Sequence, residues 1–102
     1  MSQHSPHDTL KLYALDLVQA MLGAISPNFR KVQISCIGDE ILIMFYLESE
    51  ILEDLEEIED IISEFEALQS YPVKVAKRVE IGSQPIVWDN LNQWPVYLRR
   101  EH

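Results

Sequence analysis

The chain has 102 residues, 47% of them hydrophobic and 25% charged, and a net charge of −9. That length gives a single domain able to bury a core without staples, and Cys36, the only cysteine, excludes an internal disulfide framework. No run approaches the roughly 18–20 apolar residues that span a bilayer, and residues 1–8 carry no apolar signal-like stretch, so a cytoplasmic protein is expected.

The charge is unevenly placed. Residues 1–47 hold four acids and three bases, residues 67–102 three acids and five bases, and residues 48–66 ten acids and no base. Between Lys31 and Lys74 there is no Lys or Arg at all. Such a surface repels phosphates, which argues against direct binding of nucleic acid or of an anionic membrane. Its complement is a basic protein.

In chain order, Met1 to Asp8 is expected to be a disordered tail, where His4 and His7 lack a third ligand for a metal. Asp8 or Thr9 can cap a first helix. Its stripe is Leu10, Ala14, Leu17, Val18 and Met21, widened by Tyr13, Leu15 and Leu22, a breadth that predicts heavy burial against a sheet. Lys11 and Asp16 point outward, Gly23 stops the helix and Pro27 follows. Lys31–Ile37 and Glu40–Leu47 then read as a hairpin about Gly38-Asp39, a two-residue type II′ turn. That register pairs Cys36 with Ile41, Ile34 with Ile43 and Val32 with Phe45, all on one apolar face, and leaves Gln33, Ser35, Leu42, Met44 and Tyr46 on the other. Cys36 is thereby a core residue with no ordered His near it to make it a nucleophile.

The acidic stretch, Glu48 to Glu66, is a helix. Ile51, Leu55, Ile58, Ile62 and Phe65 step by four and three along one face, and Glu53, Glu56, Glu57, Asp60 and Glu64 fill the opposite face. Ser49 is its expected N-cap. Like-charge pairs at i, i+4 weaken the carboxylate face, and no Lys or Arg is interleaved as a merely solubilising face would have. The pattern of a calcium loop is absent, and acids on an exposed face are poor acid-base catalysts; neither cofactor nor catalytic activity is expected. Tyr71-Pro72 ends the helical region. Val73, Val75, Val79 and Ile81 alternate as a third strand interrupted by Lys77, with Lys74 and Arg78 on its other face. A loop from Gly82 to Asn92 follows, with Ile86-Val87-Trp88 as a short edge strand, and Trp94 to Arg99 is the last strand. The order α-β-β-α-β-β predicts an α+β, two-layer domain with two helices on an antiparallel sheet of about four strands.

Three segments, Met21 to Arg30, Glu59 to Ala67 and Val96 to Glu101, resemble small acidic bacterial immunity proteins encoded beside polymorphic toxins, of the contact-dependent growth inhibition type. The resemblance spans residues 10–101. It implies a cytoplasmic antitoxin that binds one cognate toxin C-terminal domain and blocks it; many such toxins are nucleases with basic clefts. The residues expected to meet the partner are Glu53, Glu56, Glu57, Asp60 and Glu64, with Tyr46, Trp88 or Trp94 as an aromatic anchor at the rim. The alternative is an acidic adaptor or assembly module for another basic protein. Oligomeric state is left open.

Overall fold

A computed structural model of the chain describes residues 6–70, 72–86 and 93–100. Six elements follow in order: α1 (Pro6–Ala20), β1 (Phe29–Ile37), β2 (Glu40–Leu47), α2 (Leu52–Ala67), β3 (Lys74–Ile81) and β4 (Gln93–Leu98). They form an α+β fold in the expected order, with α1 and α2 against one face of a four-stranded sheet ordered β3-β2-β1-β4. α1 starts at Pro6, earlier than a cap at Asp8 or Thr9; proline suits a first helical turn, where its missing N–H has no partner to lose. Gly23, at φ +79°, ends it in a left-handed conformation.

The hairpin forms in the register the alternation predicts, with Val32 opposite Phe45, Ile34 opposite Ile43 and Cys36 opposite Ile41. Gly38 takes φ +62° at the turn. These residues meet Leu10, Ala14, Leu17 and Met21 of α1 and Ile58, Ile61 and Phe65 of α2 in one core, where Tyr13 and Phe65 tilt against each other at 6.3 Å. The sheet is mixed, not wholly antiparallel: β1 pairs antiparallel with β2 and β4, but β2 pairs parallel with β3. The cause is α2, which carries the chain back along the length of β2 so that β3 starts at the same end, as a helical crossover does. Val75, Lys77 and Val79 lie opposite Ile41, Ile43 and Phe45, on the helix-covered face.

The other face bears no helix, yet on the central strand β1 it is closed: Lys31, Gln33 and Ser35 are buried. Neighbouring strands supply the cover. The Lys31 ammonium lies 5.8 Å from the centre of the Tyr46 ring, and Gln33 Nε2 donates to Met44 Sδ at 3.5 Å. Burial lowers the Lys31 pKa below the ordinary lysine value. Arg30 sits at a bulge in β1 and donates to the carbonyls of Gly82 (3.0 Å) and Gln84 (2.8 Å), pinning the chain that leaves β3. A second irregularity, against β4, sets Tyr97 opposite Val32 and Trp94 opposite Ile34, so two residues three apart both meet core-facing positions. Pro95 is tolerated because β4 is an edge. Trp88 and most of the expected short strand from Ile86 lie outside the described residues, as do His4 and Tyr71; Ile86 itself is not in a strand.

α2 differs from expectation at its start. Ser49 does not cap it; the cap position is Ile51, at φ −119° and ψ 122°, with no side-chain cap bond. Ser49 is instead clasped by Asn28, whose Oδ1 accepts from the Ser49 N–H at 2.9 Å and whose Nδ2 donates to the Ser49 carbonyl at 2.8 Å. The same Nδ2 reaches Asp54 Oδ2 at 2.9 Å. That bond draws Asp54 inward, so the buried stripe is Asp54, Ile58, Ile61 and Phe65, while Ile51 stays 41% exposed. Ile51→Ser should therefore supply the missing cap at little cost in packing. Its expected effect is a gain of about 1 kcal/mol in unfolding free energy, read as a higher midpoint in urea at unchanged slope.

Candidate partner-binding surface

Glu53, Glu56, Glu57, Asp60 and Glu64 share the outer face of α2, and all five are exposed. The helix tolerates their mutual repulsion because its other face is locked down: Ile58, Ile61 and Phe65 are almost wholly buried. Two flanking acids are neutralised from the carboxyl-terminal third. Lys77 reaches from β3 to Glu59, and Arg99 Nη2 meets Glu48 Oε1 at 2.9 Å. Neither belongs to the band of five, and among the described residues no Lys or Arg is paired with any of those five. Their charge is thus directed outward rather than spent within the fold.

Beside the band runs α1, antiparallel to α2. Glu57, Asp60 and Glu64 line one wall of a cleft of about 390 Å³ whose other wall is Ala20, Leu22 and Ala24, just where α1 ends. At the opposite end, Gln69 Nε2 donates to Asp16 Oδ2 at 3.2 Å, and a second cleft of about 400 Å³ opens between Leu12, Leu15 and Gln69.

Two of the expected aromatic anchors, Tyr46 and Trp94, do not join this surface. Tyr46 lies on the helix-free face of the sheet, opposite Lys31 and Glu80 in the two ladders. Its hydroxyl contacts Met44 Sδ at 3.9 Å, and burial, with the nearby Glu80 charge, pushes its pKa up against the opposing effect of Arg78. Trp94 lies on β4, against the core beneath α1. Trp88 falls outside the described residues. Val18 and Leu15 of α1 and Leu22 just after it, expected to be buried, are exposed. The missed signal is that Leu12 and Leu15 project on a helical wheel opposite Leu10 and Leu17, so they cannot all face one core, while Leu22 falls beyond the end of α1.

Cys36 is partly buried next to the core and lines a cleft of about 200 Å³ with Tyr13 and Asp39. Burial pushes its thiol above the ordinary range, so thiolate is scarce near neutral pH. It is expected to react with a chromogenic disulfide reagent several-fold more slowly than free cysteine at the same pH, and to speed up when urea unfolds the chain. A native-state rate equal to that of free cysteine would contradict the burial.

Among the described residues no group of three His, Cys, Asp or Glu is placed to hold a metal ion, and no helix is long and apolar enough to cross a membrane. What the fold presents on two adjacent helices is a band of exposed carboxylates beside exposed leucines. Residues 9–101 match the family described as MafI2 immunity protein, and the chain belongs to that family. Immunity proteins of polymorphic toxin systems neutralise a toxin by binding it. No curated protein matches the chain.

Proposed function

We propose that the chain neutralises a toxin domain with a basic surface, a nuclease cleft above all, by setting the carboxylate band of α2 against it. The observation that carries this reading is the band itself: five exposed acids on one helix face to which, among the described residues, no Lys or Arg is paired. A nuclease must attract phosphates, so its cleft is positive, and carboxylates spaced along a rigid helix compete for the same groups. Such complementarity also speeds encounter and sharpens the choice of partner. The toxin would be the C-terminal domain encoded beside this chain, in a contact-dependent inhibition system, and the encounter would take place in the cytoplasm.

Co-expression with that neighbouring domain tests it. The chain should restore growth to cells that express the domain and should be recovered with it in a pull-down. Failure of both overturns the reading. Capture of a different basic protein, with no rescue of growth, would favour an adaptor instead.

A further inference from the structure

We propose that the outward face of α1 is the apolar half of the partner interface, holding a basic toxin domain that the carboxylates of α2 attract. This inference rests on the function proposed above and assigns the work of retention to residues that function did not use.

Leu12, Leu15, Val18 and Leu22 are 51%, 58%, 40% and 75% exposed. Leu12, Leu15 and Val18 follow one another three apart along about 9 Å of α1, and Leu22 continues the ridge in the turn after Ala20. Leu12 and Leu15 lie opposite the core-facing stripe and Val18 lies at its flank, so α1 is apolar on more than its buried side. Isolated exposed leucines need no explanation, but three exposed apolar side chains on a helix with a well-filled inner face, followed by a fourth in the turn that ends it, do.

The ridge cannot be a complete interface. Four side chains offer a few hundred Å², whereas specific interfaces bury about 1,200–2,000 Å² in total. It therefore belongs to a larger surface, and its continuous neighbour is the acidic band: Leu22 forms one wall of the cleft whose other wall is Glu57, Asp60 and Glu64. Charge then chooses the occupant. A second copy of this chain would bring another net −9 and another set of unpaired carboxylates to the same interface, which like-charge repulsion opposes. A basic domain with an apolar patch beside its positive cleft matches both stripes at once. The Leu22 cleft suits a Lys or Arg of that domain, whose aliphatic stem packs on leucine while its head meets the carboxylates.

The two stripes then divide the kinetics. Long-range charge sets how fast the complex forms, and desolvated apolar contact sets how long it lasts. The test uses Leu15→Ser with Leu22→Ser, both exposed in the free protein, so that the fold is retained; an unchanged circular dichroism spectrum checks this. The probe is the neighbouring toxin domain, catalytically inactivated and immobilised on a sensor surface. The variant should dissociate at least about tenfold faster while associating within about twofold of the wild-type rate. An unchanged dissociation rate overturns the apolar half and leaves the acidic docking standing. A wild-type chain that does not bind the domain at all overturns both. Sedimentation of the chain alone provides the other arm: a dimer dispersed by the same two substitutions would assign the ridge to self-association and refute the proposal.

Discussion

Glu57→Lys combined with Asp60→Lys is expected to slow association with the toxin domain by about threefold to tenfold at low salt, with a smaller effect on dissociation. The two acids lie mid-band, exposed, and among the described residues no Lys or Arg is paired with them, so reversing them changes the field that an approaching partner feels. The effect on the free protein has the opposite sign. Glu53 with residue 57, and residue 60 with Glu56 and Glu64, change from like-charge to opposite-charge i, i+4 pairs, which should raise stability by about 1 kcal/mol. A variant that is more stable and yet binds more slowly cannot owe its loss to unfolding. Surface plasmon resonance for the rate and urea unfolding for the stability check both signs. An unchanged association rate at low salt would remove this face from the interface.

Asn28→Ala is expected to cost about 2–4 kcal/mol of stability. Asp54 is only 6% exposed, and the Asn28 Nδ2 is its donor across the loop at 2.9 Å. Removing that donor leaves a carboxylate in a confined site without its partner, and it also releases both bonds that hold Ser49. The Asn28 backbone adds a further tie, its carbonyl accepting from Glu48 N–H at 2.9 Å, so the side chain works from a fixed base. Because this clasp sets where α2 begins, its loss would also loosen the end of the helix that carries Glu53. A double-mutant cycle with Asp54→Ala isolates the pair: a coupling of about 1–3 kcal/mol is expected, and additive effects would show that the contact is incidental.

Short-range pattern carried much of this fold. The hairpin register could be read because only one alignment about Gly38-Asp39 puts six apolar residues on one face. The outward carboxylates could be read because no base lies within reach along the helix. What could not be read depended on distant partners. The inward turn of Asp54, and with it the shift of the buried stripe to Ile61, is caused by Asn28, which comes from the other end of the β-hairpin. The parallel pairing of β2 with β3 depends on the path of α2 across the sheet, which periodicity does not encode. The breadth of the α1 stripe predicts burial that Leu15, Val18 and Leu22 do not have, because a helix offers the core only one side and these three project away from it. Tyr46 illustrates a consequence that was available from the register itself, since the hairpin already put it on the face away from the helices.

The salt dependence of the association rate constant tests the central claim most directly. If the carboxylate band guides a basic toxin domain, the wild-type rate should fall steeply between about 20 mM and 500 mM salt as the Debye length shrinks, and the Glu57→Lys, Asp60→Lys variant should show a much shallower slope. A wild-type rate that stays flat across that range would contradict it.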